Sequence, residues 1–108
     1  MINKVILLGY VGDEPTKNGD GENMVVSFPL ATTERYTKKG EPVEITEWHR
    51  IVAFGKVAKF ISDYVRKGKQ VYIEGSLKTR SFTNSDNVEK VVTEIVVKEV
   101  KLCGKKEQ

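Results

Sequence analysis

Cysteine and histidine each occur once in this 108-residue chain, as Cys103 and His49. A lone cysteine excludes an intrachain disulfide, and the pair cannot build a Cys/His metal cage, so no metal site is expected and a reducing, cytoplasmic compartment fits. Long apolar runs are missing too. Nothing approaches the roughly 20 residues that cross a bilayer, so no membrane association is expected. The apolar stretch Val5 to Leu8, behind Met1-Ile2-Asn3-Lys4, is too short for a signal-peptide core and has no small-residue cleavage site, so no targeting signal is read. Catalytic signatures are equally scarce. Gly19-Asp20-Gly21 and Phe54-Gly55-Lys56 lack the spacing of a phosphate-cradling loop, and His49 has no Ser or Cys partner at a recognisable interval. Asp13, Glu14, Asp20 and Glu22 crowd a turn-rich segment and read as a solvated face. No catalytic residue is assigned, and the chain is not expected to be an enzyme.

What remains is a 39% hydrophobic composition with a formal charge of +3, enough for one globular core and compatible with an anionic partner. Five β segments alternate with turn signals. Asn3 to Gly12 is the first; Asp13 to Asn23, with Pro15, Asn18-Gly19 and Asp20-Gly21, is a loop. Met24 to Thr32 is the second, with Val26, Phe28 and Leu30 on one face. The polar stretch Thr33 to Glu44, centred on Lys38-Lys39-Gly40, is the exposed tip of a hairpin. Ile45 to Phe54 is the third strand. Its alternation puts Trp48, Arg50, Val52 and Phe54 on one face and His49, Ile51 and Ala53 on the other. Val57, Phe60, Ile61, Tyr64 and Val65 then follow helical spacing, closed by Arg66-Lys67-Gly68. Gln70 to Arg80 is the fourth strand, with Gly75 suited to a bend or bulge. After a loop over Ser81 to Lys90, Val91 to Leu102 is the fifth. The reading is all-β: a five-stranded OB-fold barrel with one α-helix between strands 3 and 4. It fills residues 1–103 as one domain, followed by a short polar end at 104–108.

Four aromatic residues escape the faces assigned to the core: Tyr36, Trp48, Phe54 and Phe82. Trp48 and Phe54 stand six positions apart on one strand face, roughly 20 Å at strand rise, room for several bases between them. Arg50 lies between them, and Lys38, Lys39, Lys56, Lys78 and Arg80 lie on adjacent loops or strand ends. Rings that take bases, alternating with cations that take phosphates, suit a groove for single-stranded nucleic acid. The opposing reading, packing in a core or subunit contact, is open to a lone tryptophan. Arg66-Lys67-Gly68-Lys69 suits the C-terminus of a helix, whose dipole it complements. In Thr93 to Val100 both faces are apolar, Ile95 and Val97 on one and Val96 and Val100 on the other, which points to a subunit contact.

The blocks Asn3-Lys4-Val5-Ile6-Leu7, Thr46-Glu47-Trp48-His49-Arg50, Phe54-Gly55-Lys56, Tyr64-Val65-Arg66-Lys67-Gly68 and Val71-Tyr72-Ile73-Glu74-Gly75 resemble, in order and spacing, the bacterial single-stranded DNA-binding protein family. The resemblance implies an OB-fold homotetramer that wraps single-stranded DNA without sequence preference in replication, recombination and repair, with no cofactor. It places stacking rings at Trp48 and Phe54, with Tyr36 and Phe82 where well-known members carry tryptophans. It places backbone contacts at Lys4, Arg50, Lys56, Lys67, Lys78 and Arg80, and subunit contacts at His49, Gln70 and Tyr72. Full-length members continue into a flexible segment with an acidic tip that recruits replication and repair enzymes, whereas this sequence stops at Lys105-Lys106-Glu107-Gln108. Recruitment of replication and repair partners through such a tail is therefore not predicted from this sequence, and a truncated chain or a short phage, plasmid or organelle-like member both fit. Two rivals use the same barrel: a protein-docking OB module, against which the Trp48 and Phe54 pairing speaks, and an RNA chaperone of the cold-shock kind.

Overall fold

The computed structural model describes residues 1–104; the polar end beyond Gly104 lies outside the described residues. Six strands and one α-helix follow in the order β1 (Val5–Val11), β2 (Thr16–Asn18), β3 (Val25–Lys38), β4 (Glu41–Phe54), α1 (Gly55–Tyr64), β5 (Gln70–Thr83) and β6 (Glu89–Cys103), with a 3₁₀ turn at Gly21–Asn23. The sheet runs β1-β5-β6-β4-β3-β2, and β1 also pairs with β3 through Tyr10–Ala31 and Val11–Leu30. That second pairing closes the five long strands into a barrel. The helix lies between β4 and β5, the OB arrangement that the element order predicts.

Alternation explains the interior. Val26, Phe28 and Leu30 of β3, Ile51 and Ala53 of β4, and Val71 and Ile73 of β5 are all buried, each set at period two. The helix caps this core with Ala58 and Ile61, Val65 just after it is buried there too, and Val57 packs partly against it. Phe60 and Tyr64, expected on the same stripe, lie on its flank instead, as an (i, i+4) ring pair with centroids 5.0 Å apart. Ala58 takes the central place because its small side chain lets the helix approach the barrel. The helix ends at Tyr64, shortly before the expected Arg66-Lys67-Gly68 closure, with Val65 already extended. Arg66 donates to the carbonyl oxygens of Ser62, Asp63 and Val65 at 3.0, 3.2 and 2.8 Å, satisfying acceptors the last turn leaves open.

Two expected loops are largely strand. β3 and β4 pair without interruption to Lys38–Glu41, leaving only Lys39-Gly40 as the turn, both with positive φ. β5 and β6 likewise pair out to Thr83–Glu89. Hydrophobic alternation cannot reveal these arms, because both of their faces meet solvent. They are joined by ladder hydrogen bonds and polar cross-strand pairs: Arg35 Nε to Glu44 Oε2 at 2.9 Å, Thr33 to Thr46 at 3.2 Å, Thr79 to Thr93 at 3.3 Å. The loop over residues 13–23 also gains a short strand, β2, along β3.

A bulge corrects the reading of β6. Opposite Glu74 stands Glu99, but opposite Gly75 stands Val97, so Lys98 is the extra residue. One extra residue reverses the alternation, and Val100, expected on the same face as Val96, packs against the core with Ile95 and Val97. At this bend Gly75 has no room for a side chain, since a Cβ would lie 2.1 Å from the Val96 carbonyl oxygen. The surplus apolar surface is on β1: Ile6, Leu8 and Tyr10 are each more than half exposed. No helix among the described residues is long and apolar enough to cross a membrane.

Candidate nucleic-acid interface

The outward residues of β4 lie at the middle of a continuous wall. Val52 pairs with Ser27 on one side and Val96 on the other, and Lys78 pairs with Glu94 across β5 and β6. A groove of about 270 Å³ runs over this wall, floored by Val52 and Val96 and edged by Arg50, Phe54, Lys78 and Arg80, with buried Glu94 contributing to its lining. Phe54 is 52% exposed, so its ring lies at the surface rather than in the core. Phe82 follows on the same face of β5 and takes the Arg80 guanidinium over its ring, 5.7 Å from the centroid.

Trp48 stands at the other end of the face and is 61% exposed, which rules out the core reading. Its ring is seated on Gly12. A Cβ at that position would fall 2.2 Å from Cζ3 and 2.8 Å from Cη2, so only a glycine lets the indole lie flat there. Gly12 is held in turn by its N–H, which donates to the Pro29 carbonyl at 2.9 Å. A shallow cleft of about 300 Å³ flanks the ring, with Arg50 and Thr16 among its walls.

Electrostatics centre on Glu94, the one buried charged residue among the described residues. Arg50 Nε donates to its Oε2 at 2.6 Å, and Arg80 donates from Nε to Oε1 at 2.9 Å and from Nη2 to Oε2 at 3.3 Å. The hydrogen bonds from Arg80 hold this carboxyl below the usual carboxylate range; burial opposes them and Arg50 reinforces them. Arg80 is raised in return, first by the same hydrogen bonds. Two guanidinium groups against one carboxylate leave the groove net positive.

A sequence profile of the single-strand binding protein family matches residues 2–103. The chain belongs to this family. Among its relatives is the single-stranded DNA-binding protein of Xanthomonas campestris pv. campestris, 45% identical over 105 residues, covering 95% of this chain and 61% of that protein. Another is single-stranded DNA-binding protein 1 of Chlorobaculum tepidum, 45% identical over 109 residues, 98% of this chain and 67% of that one. The chain therefore spans roughly three fifths to two thirds of these relatives' length. A solved structure of the Plasmodium falciparum SSB complex with ssDNA superposes with a TM-score of 0.87 at 34% identity, covering 96% of this chain and 97% of that one. A small single-stranded DNA-binding protein from Streptomyces coelicolor shares the fold, with a TM-score of 0.76 at 21% identity and 95% and 96% coverage.

Within this member of the family, the residues singled out in the sequence divide by place. Trp48, Arg50, Phe54, Lys78, Arg80 and Phe82 share the outer face just described. Lys38 and Lys39 project at the tip of the β3–β4 arm. Tyr36, 45% exposed, is on that arm but pairs with Val43, and alternation puts it on the ribbon face opposite Trp48. Lys56 is in the first turn of the helix, which Phe54 precedes, and lines a separate hollow with Lys17 and Lys59. Lys67 lies in the turn after the helix, where its backbone N–H donates to Glu14 at 3.0 Å and the next residue, Gly68, donates to the Val11 carbonyl at 2.8 Å. That turn is tied to the strand end carrying the Trp48 seat. Lys4 is elsewhere: it lies 3.7 Å from Glu74, on the β1–β5 wall.

The same β1–β5 wall carries Gln70 opposite Tyr10 and Tyr72 opposite Leu8. Partial burial raises the Tyr72 phenol, and its hydrogen bond to Glu74 at 3.2 Å adds to this. His49 is half-buried and joined to Thr32 Oγ1 through Nε2 at 2.8 Å. Sequence reasoning missed Gly12 and Glu94. Neither had a signal in residue type, and the Lys78–Glu94 pairing depends on a β5–β6 register that the bulge at Lys98 shifts.

Proposed function

We propose that the chain binds single-stranded DNA without reading its sequence, serving replication, recombination and repair inside the cell, and that it does so without catalysis. The observation that carries this reading is the row of exposed rings and cations on one outer wall: Trp48, Arg50, Phe54, Arg80, Phe82. Exposed rings cost a folded protein solubility unless a ligand uses them, and bases are flat apolar ligands of matching size. Stacking is worth about 1–3 kcal/mol per base and is indifferent to base identity, while Arg50, Lys78 and Arg80 bind the phosphates between. Lys38, Lys39, Lys56 and Lys67 extend the positive field around the groove, and Tyr36 offers a ring on the long arm. Lys4, paired with Glu74 on another wall, is a weaker candidate for a DNA contact.

The chain acts as a homotetramer in this reading, and the support is the apolar row Ile6, Leu8 and Tyr10 beside Gln70 and Tyr72. Burying such a row against a second copy removes it from water, and half-buried His49 is a further contact candidate. The relatives' names and the single-stranded DNA of the Plasmodium complex support the nucleic-acid half of the proposal.

The test is a titration of oligo-dT followed through Trp48, the only tryptophan. Quenching is expected, and the logarithm of the affinity it reports should fall linearly with the logarithm of salt concentration, because bound phosphates release counterions. No quenching at low salt, or affinity independent of salt, sinks the reading. The matched oligo-rU strand, which adds 2′-hydroxyls and lacks the thymine methyl, should bind no tighter than oligo-dT.

A further inference from the structure

We propose that Glu94 is a positioning residue for single-strand binding: it holds Arg50 and Arg80 side by side at the groove next to Phe54, leaving their outer N–H groups free for phosphate. The inference rests on the single-strand-binding reading and deepens it.

The geometry carries the case. Glu94's side chain is only 8% exposed, whereas those of Arg50 and Arg80 are 49% and 47% exposed. The carboxylate is thus set into the wall while the two guanidinium heads reach the surface. Arg50 commits its Nε–H alone to Glu94, so both of its Nη groups are uncommitted among the described residues. Arg80 commits Nε and one Nη2 donor, and its Nη1 group is uncommitted among the described residues. Phe82 supports the Arg80 plane from one side. An arginine on an open strand face samples many rotamers, and a ligand that immobilises it bears that entropy cost. Here folding has already met it for two of them.

A carboxylate beside a phosphate site has an alternative role, as a competitor that weakens DNA binding. Burial argues for positioning: Glu94 lies beneath the guanidinium groups, not among the surface groups a phosphate meets first. The two roles predict opposite signs.

The experiment measures anisotropy of labelled oligo-dT with the full chain, as wild type, Glu94→Gln, Arg80→Lys, and an Arg50→Met/Arg80→Met pair with and without Glu94→Gln. Salt of about 0.3 M screens the general Coulomb gain from removing a negative charge. Glu94→Gln is expected to weaken binding about five- to tenfold there, the cost of reordering one or two long side chains. Its salt dependence should flatten by about 0.7 in log–log slope for each phosphate no longer gripped. Arg80→Lys keeps the charge but not the two-point grip, and should lose a similar amount. In the double-methionine background, Glu94→Gln should change affinity by less than about twofold, since neighbours acting through one another are non-additive. Equal or tighter binding by Glu94→Gln overturns the inference, as does an undiminished loss in the double-methionine background. If Glu94→Gln does not fold, full affinity in Arg80→Lys overturns it alone. A wild type that ignores oligo-dT removes the underlying reading as well; a wild type that binds beside an equally good Glu94→Gln removes only this one.

Discussion

Substituting Gly12 by alanine should damage DNA binding while sparing the fold. The added methyl would arrive 2.2 Å from Trp48 Cζ3. Ordinary carbon contacts begin near 3.5 Å, so the indole must retreat by about 1.3 Å or leave its seat. It can do so cheaply, because it is 61% exposed and terminal on its side chain. The backbone stays in place, since alanine keeps the N–H bonded to Pro29. The loss therefore falls on stacking. A fully displaced ring forfeits the whole stacking energy of about 1–3 kcal/mol, so affinity for oligo-dT should fall about five- to 150-fold; a tilted ring forfeits roughly half, about two- to thirteenfold. The salt slope should not change, because the ring binds no phosphate. Trp48 emission and anisotropy titration read the two effects separately, and a thermal melt checks the fold. Wild-type emission together with wild-type affinity would refute the reasoning; so would a loss of affinity matched by a collapse in Tm.

Trp48→Ala should weaken oligo-dT binding by about 1–3 kcal/mol at unchanged salt slope, measured by anisotropy of a labelled strand; a variant that unfolds instead shows the ring to be structural. Leu8→Glu puts a charge in the apolar row of β1 and should lower the mass measured by light scattering, whereas an unaltered assembly argues against that face. Gly75→Ala drives a Cβ to 2.1 Å from a backbone oxygen, which cannot swing aside, and should cost about 1–3 kcal/mol in denaturant unfolding; an unchanged midpoint contradicts the close approach. Glu94 is held below its ordinary pKa in the folded chain, so its stabilising contribution is complete above the unfolded value of about 4.3 and is lost as pH falls through the folded one. The Tm gap between wild type and Glu94→Gln should accordingly narrow toward acid, and a gap constant with pH counts against it.

Buried, one-sided strands were the most legible part of the chain. Val26-Phe28-Leu30 and Ile51-Ala53 announce their faces because only one side of each strand meets the core. The arms beyond Thr32 and Arg80 were not legible, since a ribbon wetted on both faces leaves no hydrophobic period to detect. Parity served well until Lys98, where one unpaired residue turned Val100 inward; nothing in Val97-Lys98-Glu99 marks a bulge without its partner strand. At the site, residue type gave the rings and the cations. It could not give Glu94, because an acid among basic residues looks like an obstacle until its burial beneath two arginines is visible.

β5 has one further consequence. Its even-numbered residues point outward along the whole strand, Gln70, Tyr72 and Glu74 on the β1 wall, then Lys78 and Arg80 on the groove wall after the bend at Gly75. Two surfaces thus hang from a single unbroken parity. An insertion or deletion of one residue between Glu74 and Lys78 would turn one set inside out and leave the other in place. The span of the strand least able to change length is therefore the few residues between the two walls, and drift in this chain should be absorbed at the tips of its polar arms.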